Sequence, residues 1–342
     1  MMTEPHSGSA MARETAEIPA AAERLLARND ELAALAKRIE RAKPRIVVFC
    51  GRGSSGHVGV YLRYLFEARL GLIGSAAAPS VVTAYQRPPE LRDALFVVVS
   101  QSGRSPDLIN ATQEARKLGA LTLAIVNDEN SPAAGAAELV LPIGAGTEDA
   151  VAATKTVALS MIAGAQLVAA LARDRDLEDG LRHLPQRLSG ALACDWSAWA
   201  ERAAGAAAAF IVGRGYGLGP VREIALKVAE ILRVPTLGYS AAELRHGPRA
   251  SITPATPVLV LRQNDQAAVT IDELVRDLNA AGETVFVAGG AGGTLPWIGD
   301  GHPIFDPVLM LIPAYRAIEV AARRRGLDPD NPPYLSKVTR TL

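Results

Sequence analysis

The strongest constraint on the fold is an internal repeat, in which similar segments recur 162 residues apart. Both glycine-rich and apolar segments take part in it. Three segments of the first half recur in this way: Cys50–Gly53 as Val212–Gly215, Leu95–Val99 as Pro257–Leu261, and Lys117–Ala120 as Asn279–Gly282. Because three separate segments share one spacing, the chain is predicted to contain two copies of one structural unit.

Each copy is predicted to be an α/β unit built on a parallel sheet. Short apolar runs end in Gly, Ser or another polar residue and are followed by helical periodicity, as expected for strands covered on both faces. The predicted strands are Arg45–Cys50, Leu95–Val99, Leu121–Val126, Phe210–Val212, Pro257–Leu261 and Thr284–Ala288. The fold class is therefore predicted to be two tandem, doubly wound, Rossmann-like subdomains related by duplication.

The repeat also predicts how the chain is divided. Residues 1–40 are expected to form a tail and a leader helix, residues 41–175 the first domain, and residues 200–342 the second domain with a C-terminal tail. The boundary is placed at residues 176–200, where Pro185 and charged residues interrupt the apolar pattern.

Composition excludes several classes of partner. The chain has 36 basic and 36 acidic residues, so no net field favours nucleic acid or an anionic membrane. The apolar stretch Leu159–Ala172 is too short to span a bilayer and is predicted to be a core helix. Cys50 and Cys194 fit no metal-binding spacing, and no signal peptide is recognisable, so a cytoplasmic protein without a metal is expected.

A hydroxyl-rich loop follows the predicted strand Leu95–Val99. The segment Ser100–Ser105 leads into Pro106, which suits the first turn of a helix. Hydroxyls and free amides would then converge at a helix N-terminus, where an anion such as phosphate is stabilised. The alternative is that these serines only cap the helix. The second copy has Arg262–Asp265 at this position, so the anion site is predicted in the first half alone.

A second loop, Gly51–Gly56, follows the first strand in the same way and adds the hydroxyls of Ser54 and Ser55. It resembles a dinucleotide-binding loop, but the acidic residue expected about 20 positions later is absent from 71–79. A nicotinamide site is therefore not predicted.

Candidate acid–base residues occur in the second half. Glu223, Lys227 and Glu230 share one face of a predicted helix, which indicates either a solvated charge stripe or a site. His246 precedes Gly-Pro and is expected to protrude from a helix end. A carboxylate and a histidine are the minimum set for moving protons on a sugar.

Taken together, these motifs resemble the sugar isomerase (SIS) superfamily over roughly residues 45–342. The resemblance is greatest to the isomerase half of glucosamine-6-phosphate synthases and to stand-alone SIS-type deaminases. It is carried by four motifs in order: Ser100–Gly103, Ala145–Glu148 with Thr154-Lys155, Glu243–Pro248, and Leu335–Thr339.

The resemblance implies a role for each matching residue and a homodimer with shared sites. Glu230 would move the proton between C1 and C2, with Lys227 nearby, and Lys337 could form a Schiff base with a ketose. His246 would open the sugar ring from the partner subunit. The phosphate would be held by Ser100, Gln101, Ser102 and Ser105, and the remaining substrate contacts would come from Arg52, Gly53, Ser54, Ser55, Val151, Ala153 and Ser336.

Departures from the synthase pattern shape the expected reaction. Only about 40 residues precede the first strand, so no glutaminase domain is expected and glutamine would not be the nitrogen source. Arg52-Gly53 replaces a Thr-Ser pair, Arg104 a glutamate and Ala153 a serine, which favours an anionic ligand. The resemblance then implies conversion of glucosamine 6-phosphate and water to fructose 6-phosphate and ammonia, without a cofactor. The alternatives are deamination of galactosamine 6-phosphate, cleavage of fructosamine 6-phosphate, simple isomerisation, or a non-catalytic phosphosugar sensor.

Overall fold

The computed structural model describes residues 8–299 and 301–337, apart from the side chain of Asn29. Its first sheet has five parallel strands in the order β2-β1-β3-β4-β5. They are β1 (Ile46–Cys50), β2 (Ile73–Ala76), β3 (Ala94–Ser100), β4 (Leu121–Val126) and β5 (Leu139–Pro142).

The second sheet has four parallel strands in the order β7-β6-β8-β9. They are β6 (Ala209–Gly213), β7 (Thr236–Ser240), β8 (Val258–Leu261) and β9 (Val285–Ala288). An isolated parallel bridge between Ala288 and Leu295 takes the place of a fifth strand. The two sheets confirm the predicted fold class, and all six predicted strands are present.

The strand registers confirm the duplication in detail. Val47 pairs with Gly74 and Ala209 with Thr236, positions 162 residues apart in both strands. Val48 with Phe96 and Phe210 with Val258 show the same correspondence. In the last shared pairing the register differs by one residue, because Phe96 pairs with Thr122 whereas Val258 pairs with Val285.

Helices connect the strands and cover both sheets. Those of the first half and the leader are α1 (Ala10–Leu26), α2 (Asn29–Ala42), α3 (Gly53–Leu70), α4 (Pro79–Thr83), α5 (Pro106–Lys117), α6 (Pro132–Ala136) and α7 (Lys155–Ala172). The rest are α8 (Arg175–Ala191), α9 (Ser197–Ala204), α10 (Leu218–Lys227), α11 (Ala241–Arg245), α12 (Ala268–Ala280) and α13 (Asp306–Arg324). The predicted boundary region 176–200 contains most of α8, and Pro185 lies inside that helix.

Helix α7 is the core helix that the sequence predicted, although it begins at Lys155 rather than near Leu159. Its 18 residues are long and apolar enough to cross a membrane, but 83% of them are buried inside the protein. The largest buried cluster includes α7 and apolar residues of both halves. The two sheets are therefore joined by one continuous core.

The contact between α3 and α10 positions the site. These helices follow β1 and β6, so they occupy equivalent places in the two copies. They cross closely at Gly219, where a Cβ atom would lie 2.7 Å from both the His57 carbonyl oxygen and the Tyr61 Cβ atom. Polar side chains on the facing sides of α3 and α10 therefore meet between the two halves.

Candidate active site

The hydroxyl-rich loop lies at the carboxyl end of β3, as predicted. Ser100 is the last residue of the strand, and its Oγ accepts a hydrogen bond from the Gly103 amide at 3.0 Å. Ser102 Oγ accepts the Arg104 amide at 3.3 Å. Gly103 has a φ of 62°, and a Cβ atom there would collide with Ser131, so only glycine fits this turn.

The helix-capping alternative accounts for little of this loop. Ser105 occupies the N-cap position of α5, but its side chain makes no capping hydrogen bond. Ser100 and Ser102 accept hydrogen bonds within the loop and retain their own hydroxyl hydrogens as donors. Gln101, Ser102 and Ser105 are half-buried, so each is partly accessible to solvent. The loop therefore presents donors at the N-terminus of a 12-residue helix, a favourable position for an anion.

Arg52 connects the loop after β1 to this helix. Its Nε donates to Asp107 Oδ2 at 2.9 Å, and Asp107 is buried in the first turn of α5. The Arg52 side chain is 52% exposed, and within 8–299 and 301–337 its terminal nitrogens make no hydrogen bond. Gly53 starts α3 with a φ of 48°. This arrangement holds the guanidinium at the first turn of α5, which directly follows the Ser100–Ser105 loop, with both terminal nitrogens available as donors among the described residues.

A buried polar cluster lies where α3 meets α10. Lys227 Nζ is 3.3 Å from Glu223 Oε1 and donates to Ser54 Oγ at 3.0 Å. Ser54 Oγ in turn donates to Glu223 Oε1 at 3.2 Å, and His57 Nδ1 lies 3.1 Å from Glu223 Oε2. The Tyr315 hydroxyl donates to Glu223 Oε1 at 3.3 Å. One hydrogen-bond network thus joins residues of the first copy to residues of the second half, including one on α13.

Electrostatics keep the central pair charged. Burial alone would raise the pKa of the Glu223 carboxyl, but Lys227 and His57 outweigh it and the pKa lies below its ordinary value. Burial would lower the pKa of Lys227, but Glu223 and Glu230 raise it above its ordinary value. The pair is therefore an ammonium and a carboxylate at neutral pH.

Glu230 lies at the open end of this cluster. Lys227 Nζ donates to Glu230 Oε2 at 2.6 Å, and the Glu230 side chain is 18% exposed. Glu230 belongs to a π-helical turn, Val228–Leu232, which continues α10; such turns are frequent at functional sites. The structure decides between the two interpretations of this helix face. Glu223 and Lys227 are buried, so the face is not a solvated charge stripe.

The loop before α7 holds the predicted residues Val151 and Ala153, both half-buried. Glu148 accepts hydrogen bonds from the Thr154 and Thr156 amides at 3.1 and 3.0 Å, so it caps α7. Lys155 is buried and donates to Glu17 Oε2 at 2.6 Å and to the Thr147 carbonyl at 2.7 Å. In this motif, Glu148 and Lys155 therefore shape the loop rather than face a ligand.

The C-terminal motif is described only in part. Leu335, Ser336 and Lys337 are exposed, whereas Val338 and Thr339 lie outside the described residues. His246 follows α11 and is exposed, as predicted from its position before Gly-Pro. No hydrogen bond or ion pair in the described part of this chain joins its ring to Lys227 or Glu230.

Sequence reasoning missed two members of the buried cluster, His57 and Tyr315. His57 lies one turn after Ser54 on α3, so the spacing of these two polar residues was an available signal. Tyr315 lies on α13, in a largely apolar segment, and no local pattern distinguishes it from a core aromatic residue. The role of Glu223 as the centre of the cluster was also not predicted, although its helix face was.

A family model and several known proteins match this chain. The SIS domain model matches residues 39–170 and 204–290. A glutamine–fructose-6-phosphate aminotransferase (isomerizing) of Symbiobacterium thermophilum is 33% identical over 313 residues, covering 86% of this chain and 51% of that protein. The chain thus spans about half the length of this curated relative.

Two solved structures are also similar. A protein of Silicibacter pomeroyi DSS-3, provisionally assigned as a phosphosugar isomerase, is 37% identical with a TM-score of 0.89, covering 94% of this chain and 100% of that one. Glucosamine-6-phosphate deaminase of Thermotoga maritima has a TM-score of 0.79 at 22% identity, covering 97% and 100%. The second comparison supports the fold alone.

Proposed function

Because this chain belongs to the SIS domain family, we propose that it is a phosphosugar enzyme that deaminates glucosamine 6-phosphate to fructose 6-phosphate. The observation that carries the proposal is the contact between Lys227 and Glu230. Glu230 is a partly exposed carboxylate held by Lys227, and Lys227 also donates to Ser54 of the half that holds the hydroxyl-rich loop. The deaminase among the structural neighbours and the aminotransferase among the relatives act on sugars of this class by name.

The proposed reaction begins with binding and ring opening. Ser100, Gln101, Ser102 and Ser105 bind the phosphate, and Arg52 adds a charge-assisted contact. His246 opens the pyranose ring and exposes the C1 aldehyde. Val151, Ala153, Gly53, Ser55 and Ser336 line the sugar.

Proton transfer then follows. Glu230 removes the C2 proton, and the electrons of that bond form the C1–C2 double bond of an enolamine. The proton returns at C1, which leaves an imine at C2. Water adds to the imine and ammonia leaves, giving the ketose phosphate. Lys227 holds the Glu230 carboxylate in place, and Lys337 can form a Schiff base with the ketose carbonyl at C2. The C1 aldehyde carbonyl accepts the electrons of the broken C2–H bond and becomes the C1 hydroxyl of the enolamine, so the proposal requires neither metal nor organic cofactor.

We also propose a homodimer in which His246 reaches the site of the partner subunit. Within its own chain His246 is exposed and makes no hydrogen bond to the proposed base in the described residues. A site that needs both groups is then complete only when a second copy supplies the imidazole.

The direct test is to supply glucosamine 6-phosphate and measure ammonia and fructose 6-phosphate together. We expect both products in equal amounts. Galactosamine 6-phosphate, fructosamine 6-phosphate and the amine-free aldose phosphates form the comparison set, because each distinguishes one alternative reaction. Binding of these sugars without ammonia release from any of them would contradict the proposal, and binding without any conversion would favour a phosphosugar sensor.

Arg52 provides a second prediction. Arg52→Ala is expected to raise KM for the phosphosugar by roughly tenfold or more and to change kcat little, because a charge-assisted hydrogen bond contributes about 1.5–3 kcal/mol. Steady-state kinetics checks this. Arg92→Ala is the matched control, since the Arg92 side chain is 78% exposed. Arg92 precedes the amino end of β3, whereas Arg52 follows the carboxyl end of β1. Equal KM values for the two variants would remove Arg52 from the phosphate site.

A further inference from the structure

Two features remain without a role in the proposed chemistry: the leader helix α1, and the residues Glu148 and Lys155 beside the sugar loop. Helix α1 is largely buried along one side, including Met11, Ile18 and Leu25. It is in contact with α7, α8 and α13, elements of both halves. It is therefore an integral part of the fold, and its polar contacts can be traced to the site.

Glu14 joins α1 to the loop that holds Val151. The Glu14 side chain is buried, with 4% of the residue exposed. Its Oε1 accepts hydrogen bonds from the amides of Asp149 and, at 3.3 Å, Ala150. One turn later, Glu17 accepts the buried Lys155 ammonium at 2.6 Å. Two carboxylates of α1 thus contact this loop at residues 149–150 and at Lys155, where α7 begins.

Asp330 joins α1 to the C-terminal tail. Its Oδ2 accepts the Ala10 amide at 2.7 Å and its Oδ1 accepts the Met11 amide at 2.9 Å. These are free donors in the first turn of α1, where a carboxylate is also favoured by the helix dipole. The Asp330 carbonyl oxygen accepts the Val151 amide at 2.9 Å. One residue therefore contacts the helix, the loop and the tail.

The tail is short beyond this point. Six residues separate Asp330 from Lys337, and they include Pro332 and Pro333, which restrict the backbone. Asp328 accepts the amides of Asp330 and Asn331 and fixes the preceding turn. Fixing Asp330 thus limits where Lys337 can go.

We propose that α1 is a positioning element of the active site, with Glu14 and Asp330 as its positioning residues. Glu14 fixes residues 149–151, and Asp330 fixes both Val151 and the start of the tail, so that the sugar loop and Lys337 keep a defined relation. The inference rests on the proposed function for the roles of Val151 and Lys337. The contacts themselves do not depend on the reaction.

The experiment compares Glu14→Gln and Asp330→Asn with Glu23→Gln in the full-length protein. An amide has one acceptor oxygen where a carboxylate has two, so Asp330→Asn loses one of its two hydrogen bonds to α1 while its shape is kept. Glu14→Gln keeps an oxygen for the Asp149 and Ala150 amides but places an NH2 group where Oε2 faces the Ala150 amide at 3.4 Å, which weakens this contact. Glu23 is exposed on the same helix and controls for the loss of charge. We expect kcat for ammonia release to fall about tenfold to a hundredfold in the two positioning variants, as a misplaced group would cause. The Kd for inorganic phosphate should stay within about twofold, because the phosphate loop is not held by α1.

A second readout needs no substrate. Hydrogen–deuterium exchange of peptides covering 145–155 and 328–337 should increase in Glu14→Gln and Asp330→Asn and remain unchanged in Glu23→Gln. This result would support the positioning contacts even if no ammonia were released, in which case the proposed function alone fails. Unchanged exchange, or a loss of kcat that disappears after correction for the folded fraction, would overturn the inference.

Discussion

Replacing Glu230 by Gln is expected to reduce kcat for glucosamine 6-phosphate by about a thousandfold or more, while phosphosugar affinity stays within about twofold. General base catalysis contributes roughly 10²–10⁴-fold, and here the base also initiates the only carbon–hydrogen bond cleavage of the proposed reaction. The amide can still accept a hydrogen bond from Lys227, and Lys227 retains Glu223 as its counter-charge. The variant should therefore fold and bind normally.

Steady-state kinetics with ammonia detection and calorimetric binding of the same sugar separate these two effects. Glu178→Gln, an exposed carboxylate on α8, is the matched control and should behave like the wild type. If Glu230→Gln retained more than about a tenth of the wild-type kcat, Glu230 would not be the base. A sensor, by contrast, would keep its ligand response in this variant.

Glu230→Gln also tests whether each site uses residues of two subunits. His246→Ala should also be nearly inactive on its own. Co-expression of the two variants should restore activity, because one of the two sites in each mixed dimer then has both an intact Glu230 and an intact His246 from the other chain. Random pairing gives about a quarter of the wild-type activity. If each subunit used its own His246, co-expression would restore nothing.

The repeat explains why so much of the fold could be predicted. Both copies keep apolar strands at the centre of their sheets, and one spacing aligns them. The three strands that were missed, β2, β5 and β7, are edge strands. β2 is mostly exposed, and Gly74 and Ser75 give it no apolar run. Edge strands are buried less, so the pattern by which central strands are recognised is weaker in them, although the edge strand β9 keeps an apolar run and was predicted.

The site was predicted less completely, because its contacts are not local. The loop Ser100–Ser105 follows one strand and precedes one helix, and the sequence indicates both. The bond from Ser54 to Glu223 instead joins residues 169 positions apart. A charged helix face is compatible with solvent or with burial, and only the position of α3 decides between them. His57 and the contacts of α1 were missed for the same reason, because their partners are distant in the sequence.

The buried pair Lys227 and Glu223 is expected to contribute strongly to the free energy of unfolding. Lys227→Met is expected to lower the free energy of unfolding by about 3–5 kcal/mol at pH 7, because it leaves the buried Glu223 carboxylate without its main counter-charge. Urea denaturation measures this. Lys117→Met is the matched control: Lys117 is 69% exposed and contacts Glu114 at 2.6 Å, and removing an exposed pair of this kind costs about 0–1 kcal/mol.

The pH dependence of that loss gives a stricter test. The pKa of Glu223 is lowered from 4.5, so its contribution is present above pH 4.5 and disappears as the pH falls through the folded-state value. The pKa of Lys227 is raised from 10.5, so its contribution is present below pH 10.5 and disappears as the pH rises through the folded-state value. In Lys227→Met, burial of Glu223 is no longer offset by Lys227, so the pKa of Glu223 should be higher than in the wild type. The difference in unfolding free energy between wild type and variant should therefore shrink as the pH falls and the unpaired carboxyl takes up a proton, and should also shrink as the pH rises through the raised pKa of Lys227. A difference that stayed the same at every pH would mean that Lys227 does not set the charge of Glu223, and the charged network that holds Glu230 would have to be reassigned.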